Sequence, residues 1–118
     1  MSTIMLIEED RLLRMAIAAY LTRQGYCVRE APDATLALAH LEQEPVDAIL
    51  LDTHPEAHGL GLLKQIRSRP TLAHTPLIAL VTTDCEAETL DYVEPGDYLR
   101  IPFDMPFLDW MLNRLLSR

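Results

Sequence analysis

Five times along the chain a short apolar run gives way to a stretch whose apolar residues recur at helical spacing, and this alternation constrains the fold more than any other feature. Thr3–Ile7 is the first run, and Leu13, Ile17, Tyr20 and Leu21 then fall on one helical face until Gly25 supplies a stop. Residues 26–30 read as a second strand. Asp33 stands where an N-cap is needed, and Ala34, Leu38 and Leu41 give a helical stripe that ends before Pro45. A third strand over 46–51 runs into Asp52, and a helix over Gly59–Ser68 carries Leu62, Leu63 and Ile66 and stops before Pro70. Leu77–Val81 is the fourth strand. Thr83 and Glu86 have capping-box spacing for a short helix that Pro95 and Gly96 terminate. Residues 97–101 read as a fifth strand, and 103–116 as a helix with Leu108, Met111, Leu112 and Leu115 on one face.

Strands that alternate with helices, the third and fourth almost continuously apolar, predict a parallel sheet covered on both faces. Right-handed crossovers leave few ways to connect it. Five units in 118 residues predict a flavodoxin-like, doubly wound α/β sheet in the order 2-1-3-4-5. A closed barrel needs about 250 residues. One domain over 1–118 is expected.

Ten Lys and Arg against eighteen Asp and Glu, a net charge of −8, leave no basic face for phosphate neutralisation, so direct nucleic-acid binding by this chain is not expected. No apolar run approaches the roughly 20 residues that span a bilayer, and the opening MSTIMLIEED meets carboxylates too early for a secretory leader. A cytoplasmic location with no membrane contact is therefore expected. Cys27 and Cys85 lack metal-ligand spacing, and Cys27, in an apolar stretch, reads as a buried free thiol.

In an open α/β sheet, functional groups gather at the carboxyl ends of the strands beside the topological switch point, here strands one and three. Strand one runs into Glu8, Glu9 and Asp10, and strand three ends at Asp52, so three or four acids are expected to converge on one pocket. Such a pocket suits Mg2+, which is held by one or two carboxylates together with water and phosphate oxygens. The trio alone also reads as a solvated helix N-terminus, where acids complement the macrodipole. Asp52 is harder to dismiss, because aspartate is depleted in strands.

The segments IMLIEED, VDAILLD, HGLGLLKQIRS, TPLIALVTT and DYLRIPF, in this order and spacing, resemble the response-regulator receiver family over nearly the whole chain. The resemblance implies Asp52 as phosphoacceptor and Glu8 and Glu9, with Asp52, as the residues that place Mg2+. It implies Tyr98 as the conformational-switch aromatic, and a sensor histidine kinase or phosphotransfer protein as partner. Output would pass through the fourth helix, fifth strand and fifth helix, a face that could also form a homodimer.

Three departures from the family pattern stand out. Glutamates replace the usual aspartate-containing acidic pair, so the Mg2+ site is expected to be weak or absent. The family's lysine before the proline falls on Ile101; Arg100 is adjacent, but strand alternation turns it to the other face. The family's Thr or Ser at the end of strand four falls on Val81, with Thr82 one residue on. The loop after Asp52 is one residue short, and its His54 and His58 lack a third ligand in register. The chain therefore reads as an atypical, non-enzymatic receiver in a two-component phosphorelay, with impaired phosphoryl acceptance at Asp52. The alternative is a phosphorylation-independent pseudo-receiver that serves as an interaction or dimerisation module. A small flavodoxin-like enzyme would need a glycine-rich phosphate loop after strand one, which this chain, with four glycines, lacks.

Overall fold

The computed structural model describes residues 1–53, 59–82, 86–93 and 97–117, with Glu86 described by its backbone alone. The elements alternate throughout: β1 (Thr3–Ile7), α1 (Arg11–Arg23), β2 (Cys27–Ala31), α2 (Ala34–Gln43), β3 (Ala48–Asp52), α3 (Gly59–Ser68), β4 (Leu77–Val81), α4 (Glu86–Thr89), β5 (Tyr98–Arg100) and α5 (Met105–Leu116). All strand pairs are parallel, in the order β2-β1-β3-β4-β5. This is the doubly wound sheet that the alternation predicts.

Every residue of β3 and β4 is buried, as expected of central strands covered on both faces. Side-chain alternation divides them between two cores. Met5, Ile7, Ile49, Leu51, Ala79 and Val81 pack with residues of α2 and α3. Ile4, Leu6, Leu50, Ile78, Leu80 and Leu99 pack on the other face with Ile17 and Leu21 of α1 and Leu108 and Leu112 of α5.

The caps follow local chemistry. Asp33 accepts a hydrogen bond from Leu36 N at 2.9 Å at the start of α2, and Gly25, after α1, takes φ +98°, a left-handed conformation that glycine adopts without a Cβ penalty. Strand ends differ modestly from expectation: β3 starts two residues later and includes Asp52, β5 is shorter, and α5 starts at Met105 with Pro106 in its first turn. Cys27 is a correction: it is exposed, not buried. It opens β2, an edge strand whose first position faces outward. Cys85, Thr83, Pro95 and Gly96 lie outside the described residues. Among the described residues no helix is long and apolar enough to cross a membrane.

At the amino ends of the strands, Arg67 of α3 ties three chain segments together. Its Nε donates to Tyr92 O at 3.4 Å, and its Nη1 to Ala73 O at 3.2 Å and Thr75 O at 3.0 Å.

Candidate functional site

The register pairs Ile7 with Leu51, so the next residues of the two chains, Glu8 and Asp52, emerge side by side at the carboxyl edge of the sheet. Both have the parity of Leu6 and Leu50 and therefore face the α1 and α5 side. Both are buried, with only 2% of Glu8 and 7% of Asp52 exposed. Glu8 Oε1 accepts from Asp10 N at 3.3 Å, whereas its buried Oε2 has no hydrogen-bond partner among the described residues.

Burial first, and then the charge of Asp52, push the Glu8 carboxyl up to about 8, against the lowering effect of the Asp10 N–H. Two ionised carboxylates cannot hydrogen-bond to each other. Once Glu8 is protonated it can donate to Asp52, and this bond raises its pKa further.

The expected gathering of three or four acids is reduced to this pair. Asp10 is the N-cap of α1, with Oδ1 accepting from Leu12 N at 3.0 Å and Leu13 N at 3.1 Å. Glu9 is exposed, and among the described residues no three His, Cys, Asp or Glu side chains are grouped to hold a metal ion. The remaining donor chemistry still fits a hard cation: a buried carboxylate oxygen without a donor among the described residues lies beside a second carboxylate, and one or two carboxylates with water suffice for Mg2+.

The turn that carries the acids is fixed by a residue the sequence reading passed over. Arg14, on the first turns of α1, reaches back to donate Nη1 to Glu8 O at 2.7 Å and to Glu9 O at 3.4 Å, with Nε 3.5 Å from Glu30 Oε1. Helical side chains lean toward the N-terminus, so an arginine one turn after an acidic strand exit was the available signal. Gly59, read only as a helix start, lies against the main chain of Asp52.

On the neighbouring strands, Val81 is fully buried within the α2 and α3 core. Thr82, one residue on and half-buried, has the opposite parity, shared with Leu80 and Asp52. Tyr98 is half-buried against the α2 and α3 core, and Ile101 is half-buried against the α1 and α5 core. Ile101 N donates to Val81 O at 2.9 Å, so the strand alternation extends to it. It shares the parity of Leu99 and of the Asp52 side, whereas Arg100 is exposed on the other parity. The peptide bond from Ile101 to Pro102 is cis. The chain has a single lysine, Lys64, whose Nζ is 5.6 Å from the Tyr92 ring centroid. His54 and His58 lie outside the described residues.

A parallel 2-1-3-4-5 sheet with an acidic pair at its switch point defines a class, and comparison with known proteins agrees. The model of the response regulator receiver domain matches residues 4–114, and this chain belongs to that family: it is a receiver domain of two-component signalling. The transcriptional regulatory protein GltR of Pseudomonas aeruginosa is 34% identical over 98% of this chain and 49% of its own length. For the transcriptional regulatory protein QseB of Haemophilus influenzae the values are 33%, 98% and 52%. The chain thus spans about half the length of these relatives. Among solved structures, the Francisella response regulator 1452 receiver domain superposes with a TM-score of 0.87 at 26% identity, covering 100% of this chain and 98% of that one. The chemotaxis protein CheY4 of Vibrio cholerae gives 0.83 at 25% identity, covering 98% of each chain. Receiver domains generally bind Mg2+ at the phosphorylation site and interact with histidine kinases or phosphotransfer proteins.

Proposed function

We propose that this chain is an impaired phosphoryl acceptor in which Asp52 is the nucleophile. The burial of Asp52 and Glu8 side by side at the carboxyl ends of β3 and β1 carries this reading. An Asp52 oxygen would attack phosphorus, forming an acyl phosphate while the bond to the donor's leaving atom breaks and that atom keeps the electron pair. Glu8 and Asp52 would hold Mg2+, with Glu9 able to reach only from solvent. The cation would neutralise charge on the phosphoryl oxygens.

The impairment rests on Ile101 and on Glu8. At the position where the family carries a lysine, Ile101 offers no charge, and the only lysine lies on α3. Glu8, protonated until about pH 8, must release its proton before it can serve as an anionic ligand. Thr82, whose parity matches that of Asp52, is the candidate for the hydroxyl contact to the phosphoryl group. Val81, within the opposite core, is not. The donor would be a cytoplasmic sensor histidine kinase or phosphotransfer protein.

Incubation with acetyl phosphate and Mg2+, followed by mass spectrometry, tests this reading. Slow gain of one phosphoryl group on the wild type and none on Asp52→Asn is expected, and no gain on either chain overturns it.

One feature favours the alternative, a phosphorylation-independent interaction module. Phe107 and Trp110, 49% and 57% exposed, stack with ring centroids 5.6 Å apart on α5, and Arg114 lies 5.4 Å from the Trp110 ring centroid. Large exposed aromatics with arginine are typical of contact centres. If this face forms a homodimer with β5, Trp110→Ala would convert a dimer to a monomer in sedimentation whether or not Asp52 is phosphorylated.

A further inference from the structure

Directly after Asp52 the chain carries a fully buried threonine. Thr53 N donates to Leu80 O at 3.0 Å, and Thr53 Oγ1 donates to the same oxygen at 2.8 Å. Its hydroxyl proton is thereby used toward β4, leaving the oxygen as an acceptor, and the Thr89 hydroxyl donates to it at 3.1 Å. Both threonines are 0% exposed.

Thr89 ends α4, a four-residue helix, far too short to persist without tertiary anchoring. Over residues 87–93 only Thr89 and Val93 are buried, while Ala87, Glu88, Leu90 and Asp91 are exposed. The burial of this segment therefore centres on Thr89 and Val93, with Tyr92 half-buried and its carbonyl held by Arg67. A buried hydroxyl that loses a hydrogen bond costs free energy, so breaking the Thr53–Thr89 contact should loosen the segment.

We propose that the Thr53–Thr89 hydroxyl pair is the latch through which the state of Asp52 reaches α4. This rests on the reading of Asp52 as phosphoacceptor, because Thr53 shares a peptide bond with it and any shift of the Asp52 main chain moves the latch. Coupling of this kind is reciprocal, so loosening α4 must be felt at Asp52.

The test is amide hydrogen exchange and amide chemical shifts, without any phosphoryl donor, on the wild type and on Thr53→Val, Thr53→Ser and Thr89→Val. Leu80 O keeps the Thr53 N–H in all three variants. Exchange over residues 87–93 should quicken by about tenfold in Thr53→Val and Thr89→Val, the upper range for one lost hydrogen bond. It should stay slow in Thr53→Ser, with β1 and β4 unchanged throughout. Thr89→Val should also move the Asp52 and Thr53 amide signals. Wild-type exchange in both valine variants, equal acceleration in Thr53→Ser and Thr53→Val, or unmoved Asp52 and Thr53 signals in Thr89→Val each overturn the latch. If Thr53→Val does not fold, Thr89→Val carries the same decision. Acetyl-phosphate labelling of the same proteins is read separately, and its complete absence removes the phosphoacceptor reading whatever the exchange shows.

Discussion

Gly59 touches the main chain of Asp52 with no room for a methyl group between them: a Cβ at position 59 would fall 1.7 Å from Asp52 O and 2.7 Å from Thr53 Cα. These are backbone atoms, which cannot swing aside as a long side chain can. The first turn of α3 therefore takes its position from the strand end that carries the nucleophile. Gly59→Ala should cost about 1–3 kcal/mol, as overpacking does, and lower the melting temperature by roughly 5–15 °C. Acetyl-phosphate labelling should slow with it. An unchanged melting curve would contradict the contact.

The Glu8 carboxyl lies near 8 in the fold against 4.5 for an unperturbed glutamate, raised by burial and by Asp52. The folded form thus binds this proton more tightly than the unfolded chain. Its contribution is fully present below about pH 4.5 and is lost as the pH climbs toward 8. Metal-free protein should melt at progressively lower temperature across that interval, superimposed on the titration of other groups. Glu8→Gln should flatten the slope and raise the melting temperature at pH 8 by on the order of 5 °C. A slope identical in wild type and Glu8→Gln would refute the assignment.

Mg2+ must compete with that proton. Binding followed by the amide shifts of Glu8 and Asp52 should be weak at pH 6 and strengthen up to about tenfold per pH unit until Glu8 is ionised. Affinity in the micromolar range at pH 6, or no change with pH, would be inconsistent with a protonated ligand.

Ile101→Lys would place an ammonium on the face that Asp52 occupies. A unit charge about 4 Å away is worth up to roughly 4 kcal/mol at an effective dielectric of 20. Labelling should become faster or longer-lived. Because Ile101 is only half-buried, the new side chain can extend its charged end toward water or the carboxylates, so stability should fall by no more than about 1–2 kcal/mol. Loss of stability with no gain in labelling would show that position 101 does not open toward Asp52.

Periodicity made the sheet order legible, because β4 and all of β3 except its last residue, Asp52, are apolar and parallel crossovers are right-handed as a rule. The acidic site was less so. Glu8, Glu9 and Asp10 are adjacent carboxylates in the sequence, yet one is buried beside Asp52, one faces water and one caps α1. Their separation goes with the turn held by Arg14, a contact six residues away in sequence whose signal is the arginine one turn after the acidic strand exit. Cys27 was misread because apolar neighbours signal burial only where a second layer covers them, and the first position of an edge strand has none. Gly59 and Thr53 owe their roles to distances across elements, which spacing along the chain does not carry.

Arg67 has a consequence for how the molecule comes apart. Its guanidinium, desolvated enough to lower its pKa, holds carbonyls on both sides of β4 in sequence, at Ala73, Thr75 and Tyr92. None of those segments can leave without stripping a cation of its partners in a poorly hydrated place. Fraying at the end of the sheet remote from Asp52 should therefore carry the added cost of these bonds. Rearrangements near Asp52 then proceed against a fixed base, so motion there is not dissipated at the other end.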